Sequence, residues 1–285
     1  MKKLIRLSMI MLMLTVGTGG AYGTTLFSDD FETGDRSHTE NNAGWTNATS
    51  TTVTADIARS GSHALAFHFE GSSSGDAWAE QRFDLGTNLS DVYIRFYIYF
   101  PANYAHRNVS PNNNKVIRIW SDPANYSGDD IKMGASLARD ASGISQLFPE
   151  MNATYSSGWQ PDYNGSMEAL ISMLGSWTLS PADLEKWICF EFHFKRDSGQ
   201  GDGAFEFWVD GERQFGSTAI SFKNAPPSPD YFRSGYLLGW SNSGFDEYTT
   251  IYIDDVAFGN TYIGPDGSGQ QALAAPTGLK VVDSN

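Results

Sequence analysis

Residues 187–212 carry side chains that can bind a sugar and act on it. Their sequence, WICFEFHFKRDSGQGDGAFEFWVDGE, alternates apolar and polar residues on both sides of a turn rich in Gly, Asp and Ser. This pattern predicts an antiparallel hairpin with one buried and one exposed face. The exposed face would carry His193, Lys195 and Trp208. Imidazole can serve as a general base and a flat indole can stack on a sugar ring, so this face is a candidate site.

A second polar and aromatic face is predicted on two earlier strands, VYIRFYIYF (92–100) and KVIRIW (115–120). Alternation sets the Tyr and Arg side chains of the first strand against its Val, Ile and Phe side chains, and it sets Val116, Arg118 and Trp120 of the second strand against Ile117 and Ile119. If both strands share a concave sheet with the hairpin, one groove is lined by Tyr93, Arg95, Tyr97, Arg118, Trp120, His193, Lys195 and Trp208. The alternative is that some of these residues lie in the core or on the convex back of the fold.

The elements that must position these residues are strands. Further alternating segments occur at 235–240, which ends at Trp240, and at 250–259, and clusters of Gly, Pro, Asn and Asp separate the segments. Helical character is confined to 166–174 and a single turn at 180–184. We therefore predict an all-β, two-sheet antiparallel jelly-roll sandwich. Its interior would hold Phe96, Phe192, Phe194, Phe207 and Ile253, with Arg95, His193 and Trp208 outside.

The chain divides into three parts. Residues 1–23 have a basic start, a short apolar run and small residues, as in a secretory signal peptide. Residues 24–265 form the β domain, and 266–285 combine a Gly/Ser linker with a possible start of a truncated fibronectin type III module. We expect a secreted or periplasmic bacterial protein, because no later segment is long and apolar enough to span a membrane.

Charge limits the range of partners. Without Lys2, Lys3 and Arg6 the chain has 16 Lys+Arg against 33 Asp+Glu, a net charge of −17. Nucleic acids and anionic membranes require a basic surface, so neither is expected as a partner. Cys189 is the only cysteine, which excludes an intramolecular disulfide. We expect a monomer.

Acidic residues cluster near both ends of the domain, in DDFETG (29–34) and YIDDV (252–256). If the first and last strands pair, these carboxylates approach one another, and a hard cation would neutralise them. We therefore predict a structural Ca²⁺ with Asp30, Glu32 and Asp255 as ligands. The alternative is that these residues are solvated strand ends.

The order of motifs WAEQRFDLG (78–86), DVYIRFYIYFP, NKVIRIW, KWICFEFHFK and FEFWVDGE resembles secreted polysaccharide lyases of the heparin-lyase and glucuronan-lyase type, which are concanavalin A-like jelly rolls. The resemblance covers nearly the whole domain. It implies an acidic polysaccharide as partner, with Arg82 and Arg95 as candidate sugar-binding residues. The glutamine-x-histidine motif of related alginate lyases is absent, since Arg118-Ile119-Trp120 occupies the comparable strand.

Elimination from a uronate requires neutralisation of its carboxylate, removal of the C5 proton and protonation of the leaving oxygen. His193 as base, Tyr97 as acid, and Arg95 and Arg118 as carboxylate ligands could supply these functions. The remaining polar and aromatic candidates would bind substrate: Arg82, Tyr93, Trp120, Lys195, Trp208 and Trp240. A non-catalytic carbohydrate-binding module and a cell-surface adhesion domain remain alternatives, whereas a retaining glycosidase would need two carboxylates about 5 Å apart, for which Glu191 and Glu206 are weak candidates.

Overall fold

The computed structural model describes residues 25–121, 130–153, 167–222, 225 and 228–267. Its strands are β1 (Thr25–Asp29), β2 (Thr39–Glu40), β3 (Ala43–Thr49), β4 (Thr51–Thr54), β5 (Ala64–Phe69), β6 (Ala77–Leu89), β7 (Asp91–Tyr99), β8 (Asn114–Trp120), β9 (Ile131–Arg139), β10 (Ser145–Ala153), β11 (Trp177–Leu179), β12 (Trp187–Lys195), β13 (Gly203–Val209), β14 (Glu212–Ile220), β15 (Phe232–Ser241) and β16 (Thr249–Gly259). One α-helix, α1 (Met167–Leu174), and one 3₁₀ turn (Pro181–Asp183) interrupt them in this part of the chain. The all-β prediction and both short helical predictions are confirmed.

The strands form two sheets. Sheet A has the order β14-β13-β12-β7-β16-β5-β4, with β1 added on β16, and sheet B has the order β11-β10-β9-β8-β15-β6-β3-β2. Every pairing between these named strands is antiparallel. The predicted two-sheet antiparallel sandwich is therefore confirmed, as is the pairing of first and last strands, in which Phe27 lies opposite Phe258.

The core lies between the sheets and follows the predicted alternation. Phe96, Phe192, Phe194, Phe207 and Ile253 are all fully buried in one apolar cluster. Packing is largely aromatic, since the Phe192 ring stacks on that of Phe207 with centroids 4.7 Å apart. Replacing one of these buried phenylalanines with Ala would lower the free energy of unfolding by about 3–5 kcal/mol. A shift in the register of β12 or β13 would expose several of them at once, so the register is strongly determined.

The end of the described chain crosses the outer face of sheet A. We call Tyr262–Pro265 the C-terminal strap. The backbone N–H groups of Ile263 and Gly264 donate to the two carboxylate oxygens of Glu191 at 2.6 and 2.8 Å. Tyr97 Oη donates to the carbonyl of Pro265 at 2.6 Å. The strap therefore covers a face that alternation alone leaves open to solvent.

Within the described ranges, no helix has the length and apolar character needed to cross a membrane. The predicted signal peptide, at 1–23, lies outside the described residues, as does most of the predicted linker and module start at 266–285.

Candidate active site

The predicted single groove is wrong, because its residues belong to two different sheets. Strands β7, β12 and β13 lie in sheet A, whereas β6, β8 and β15 lie in sheet B. With the core between the sheets, their polar faces point in opposite directions. Sheet A carries Tyr93, Arg95, Tyr97, His193, Lys195 and Trp208, and sheet B carries Arg82, Arg118, Trp120 and Trp240.

His193 faces away from the core, as predicted, but it is only 5% exposed. Its Nε2 contacts Asp91 Oδ1 at 2.8 Å, its Nδ1 contacts Glu206 Oε2 at 2.9 Å, and its ring stacks on Tyr93 with centroids 4.1 Å apart. Burial lowers the pKa of His193, but hydrogen bonds to the two carboxylates outweigh burial and leave the pKa raised. Both ring nitrogens are engaged, so His193 stabilises the sheet and is a poor general base here.

The other sheet A candidates are covered or paired as well. Arg95 Nη1 lies 3.4 Å from the carbonyl of Pro265, and Trp208 packs against Tyr262 with ring centroids 5.3 Å apart. Burial raises the pKa of Tyr97 to about 12, and Lys195 pairs with Asp202 at 2.8 Å. Trp208 is 2% exposed, so the predicted stacking surface is closed by the chain itself.

An open cleft of about 540 Å³ lies on the opposite side, on the outer face of sheet B. Strands β6, β8, β10 and β15 contribute most of its lining, and the chain around 111–113 and 242 forms one end. The lining consists of Trp78, Glu80, Arg82, Pro111, Asn113, Lys115, Arg118, Glu150, Asn152, Tyr236, Trp240 and Asn242. Charged groups and exposed indoles thus meet in one solvent-open depression, and concave sites of this kind are where ligands bind.

Two arginines flank a tyrosine across the floor of this cleft. Tyr236 on β15 lies directly opposite Arg82 on β6 and Arg118 on β8, so the three side chains form one row. Arg82 Nε donates to Glu80 Oε1 at 2.5 Å, and Arg118 forms an ion pair with Glu150. The row can hold a carboxylate through guanidinium groups and present a phenol beside it.

Gly134 on β9 allows Arg118 to reach Glu150. It lies between them in the same row, opposite Arg118 on one side and Glu150 on the other. A Cβ built at Gly134 would lie 2.1 Å from the carbonyl oxygen of Ile117 and 2.9 Å from Arg118 Cδ. The missing side chain leaves the space that the arginine crosses.

Lys115 reaches the cleft because β8 contains a bulge. The register moves from Lys115 opposite Ser136 to Ile117 opposite Ala135, so Val116 is an extra residue and its side chain enters the core. Strict alternation would place Lys115 and Arg118 on opposite faces, and the bulge brings both to the cleft side. Lys115 Nζ donates to Asn242 Oδ1 at 2.5 Å and to the carbonyl of Trp240 at 3.3 Å.

The environment of Lys115 lowers the pKa of its amine. Burial is the largest influence and lowers the pKa of Lys115 to about 8, with a smaller lowering contribution from Arg118. Glu150, Glu80 and Asp76 oppose this change without cancelling it. A lysine with this pKa has an appreciable neutral fraction near physiological pH and can accept a proton.

An aromatic pair stands at one end of the cleft. Trp78 on β6 and Trp240 on β15 lie opposite each other, and their rings stack with centroids 4.9 Å apart and an interplanar angle of 10°. Trp78 Nε1 donates to Glu80 Oε2 at 3.3 Å, and Trp240 Nε1 donates to Asp76. The indoles are 38% and 40% exposed, so they form a fixed apolar wall that solvent and ligands can reach.

Sequence reasoning therefore found Arg82, Arg118 and Trp240 of the cleft. Trp120 lies beside it, with its ring 5.8 Å from that of Tyr236. Sequence reasoning missed three further lining residues, Trp78, Lys115 and Tyr236. The sequence did contain a signal for Trp78, because Trp78, Glu80 and Arg82 alternate along the WAEQR segment and therefore lie on one face of β6. The bulge that orients Lys115 leaves no comparable mark in the sequence.

Two of the three predicted calcium ligands, Asp30 and Asp255, line one cleft of about 480 Å³ together with Asp29 and Glu40, but Glu32 is not part of that lining. Glu32 Oε1 accepts the backbone N–H groups of Ser62 and His63 at 2.7 Å, and Asp255 binds Arg59 and Ser60 at 2.9 and 3.0 Å. Among the described residues no group of three or more His, Cys, Asp or Glu side chains could hold a metal ion. The arrangement therefore does not fit the predicted site. Calcium binding stays a prediction, and a higher melting temperature with added calcium would reveal it.

Comparison with known proteins identifies the family. The chain belongs to the polysaccharide lyase family, whose family model matches residues 31–257. No curated protein matches the sequence. Among solved structures, a mutant of the alginate lyase Aly36B in complex with an alginate trisaccharide is similar, with 10% identity and a TM-score of 0.53 over 82% of this chain and 97% of that chain. The endo-β-1,4-glucuronan lyase from the fungus Trichoderma reesei has 15% identity and a TM-score of 0.51, over 87% of this chain and 100% of that one. At such identities the likeness shows the fold alone.

Proposed function

We propose that the protein cleaves uronate-containing polysaccharide by β-elimination in the sheet B cleft. The observation that carries this proposal is the position of Lys115, an amine with a pKa lowered to about 8, in the same cleft as Arg82 and Arg118. Membership of the polysaccharide lyase family supports the reaction class, and the two similar lyase structures support the fold that performs it.

Each chemical requirement has a candidate residue. Arg118 and Arg82 bind the uronate carboxylate and stabilise the charge that develops when C5 loses its proton. Neutral Lys115 accepts that proton on Nζ. The electron pair of the C5–H bond forms the C4=C5 double bond while the C4–O bond breaks. Tyr236 protonates the leaving oxygen and regains a proton from solvent, and the proton on Lys115 is released to solvent, so both groups return to their starting forms.

The contacts of Lys115 are compatible with the role of base. Lys115 Nζ lies 2.5 Å from Asn242 Oδ1, 3.3 Å from the carbonyl of Trp240 and 3.5 Å from Asn113 Oδ1, and a neutral amine can donate its two N–H groups to the two nearer acceptors. The lone pair accepts the substrate proton once the longest contact, to Asn113, is given up. These acceptors fix the position of Nζ without adding a negative charge that would raise its pKa.

A non-catalytic carbohydrate-binding function is the second candidate. It is favoured by the exposed Trp78 and Trp240 pair, because stacking alone can hold a sugar. The two functions differ in their need for Lys115. A binding module would retain its affinity and show no reaction when the amine is removed, whereas a lyase would lose turnover.

We also propose that the protein acts outside the cytoplasm, which the signal-like residues 1–23 support, and that it works as a monomer, since the described residues of one chain line the cleft. N-terminal sequencing of protein recovered from the periplasm and medium checks the first proposal. Light scattering of the purified protein checks the second.

The test of cleavage is incubation with uronate-containing polymers while following the ultraviolet absorbance of the unsaturated product. We expect product with the native protein and a loss of about 10-fold or more in kcat/KM for Arg118→Ala, because a charge-assisted contact to the carboxylate disappears. Arg95→Ala is the matched control on sheet A and should retain activity. Equal losses in both variants, or no product from any uronate polymer, would contradict the proposal.

A further inference from the structure

The charges of the cleft are balanced, which is unexpected for a site that binds a polymer with a carboxylate on every ring. The lining has three cations, Arg82, Lys115 and Arg118, and two carboxylates, Glu80 and Glu150. Asp76, which accepts the indole N–H of Trp240, adds a third carboxylate at the rim. The net charge of these described residues is therefore zero when Lys115 is protonated and −1 when Lys115 is neutral.

The two ends of the cleft differ in chemistry. The row of Arg82, Tyr236 and Arg118 crosses the floor and can neutralise one carboxylate. At the Trp78 and Trp240 end, both indole N–H groups are held by carboxylates, those of Glu80 and Asp76. A second uronate stacked on these rings would place its carboxylate near Glu80 and Asp76, which is unfavourable in a partly desolvated site. The one cation near this end, Lys115, contacts the carbonyl of Trp240 and acts as the neutral base in the proposed reaction, so it does not offset these two charges.

The other lining groups near the indoles suit a neutral ring. Asn113 and Asn242 lie beside Lys115, and their amides can exchange hydrogen bonds with sugar hydroxyl or acetamido groups. The aromatic end is built for an apolar sugar face and hydroxyl groups.

We propose that the cleft recognises a heteropolysaccharide in which a uronate is next to a neutral sugar. The uronate lies on Arg82 and Arg118, and the neutral ring stacks on the Trp78 and Trp240 pair. This inference rests on the proposed lyase function and narrows its substrate class, because homopolymers of uronate place a carboxylate on the ring at the aromatic end.

The first experiment compares two kinds of polymer with the native protein. One kind alternates glucuronate with a neutral hexose or N-acetylhexosamine, and the other is a homopolymer of glucuronate or mannuronate. We expect the alternating class to give a kcat/KM at least about 10-fold higher, the difference that one unfavourable charge contact of about 1.4 kcal/mol produces. An equal or higher value with the homopolymers would overturn the inference and leave the lyase function standing.

The second experiment removes the aromatic end. We expect Trp240→Ala and Trp78→Ala each to raise KM for the alternating polymer by about 10-fold with little change in kcat, because the stacked ring lies beside the reacting one. Trp187→Ala is the matched control, since its ring packs on Tyr99 on sheet A with centroids 5.6 Å apart. If the cleft variants behave like this control, the neutral ring does not stack there.

A binding measurement separates the two proposals if no polymer gives product. Quenching of tryptophan fluorescence by alternating and homopolymeric tetrasaccharides reports affinity without turnover. Tighter binding of the alternating oligosaccharide, lost in Trp240→Ala, would support the inference while the lyase function fails. Equal or tighter binding of the homopolymer would overturn the inference.

Discussion

Activity should follow the titration of Lys115. An ordinary lysine, with a pKa of about 10.4, would be neutral in only about 1 molecule in 2,500 at pH 7. Burial lowers the pKa of Lys115 to about 8, which makes the amine neutral in about 1 molecule in 10. The cleft therefore raises the concentration of competent base by about two orders of magnitude at that pH.

The resulting pH profile has a defined sign. Because the base must be unprotonated, kcat/KM should rise about 10-fold per pH unit below the pKa and level off above about pH 8. Lys115→Met should lose about 10²- to 10⁴-fold in kcat at every pH, the usual contribution of a general base. Lys186→Met, at an exposed lysine paired with Asp183, is the matched control and should behave like the native protein.

Asn242→Asp tests the assignment without removing the amine. The new carboxylate would replace an amide oxygen that lies 2.5 Å from Lys115 Nζ. A neighbouring negative charge stabilises the ammonium form and raises its pKa by about 1–3 units, so the plateau should move to higher pH. Activity at pH 7 should fall about 10-fold or more and recover in alkaline buffer. An unchanged midpoint in Asn242→Asp, or a Lys115→Met variant that keeps more than about a tenth of native activity, would refute Lys115 as the base.

Two further predictions concern groups that hold the cleft and the opposite face. Gly134→Ala should lower the free energy of unfolding by about 1–3 kcal/mol, because the new Cβ would collide with the Ile117 carbonyl oxygen; denaturant titration measures this loss. The same Cβ would displace Arg118, so substrate binding should weaken and KM should rise. Burial raises the pKa of Glu191 to about 7, so its protonated form adds stability below its unfolded pKa and that stability is lost as pH rises through about 7. In Glu191→Gln the decrease in unfolding free energy from pH 4 to pH 8 should shrink by about 3 kcal/mol, and an unchanged pH dependence would contradict this assignment.

Much of the fold could be predicted from sequence because alternation is a local property. The interior positions of β7, β12, β13 and β16 follow directly from the spacing of Phe and Ile residues. The pairing of the first and last strands followed from general sandwich topology and is confirmed. Both inferences depend only on the period of a strand and on the need to bury one face.

The site was less predictable, because it depends on which sheet each strand joins. Strands β7 and β8 are consecutive in the sequence, yet the chain between them crosses from sheet A to sheet B. Arg95 and Arg118 therefore face opposite sides of the molecule. Alternation also says nothing about what covers a polar face. The strap that closes sheet A is held by Glu191, whose partners, Ile263 and Gly264, are more than 70 residues away.

One extra residue gives the cleft its reactive group. Without the bulge at Val116, Lys115 and Arg118 would alternate to opposite sides of β8, and a buried ammonium would replace an aliphatic side chain in the core. With it, the amine and the guanidinium share one face, three positions apart. Arg82, Arg118 and the indole pair would suffice to bind a sugar acid, since they supply charge and stacking. The amine at Lys115 adds a proton acceptor to that surface, so in the proposed mechanism the bulge is the feature that turns a sugar-binding face into a catalytic one.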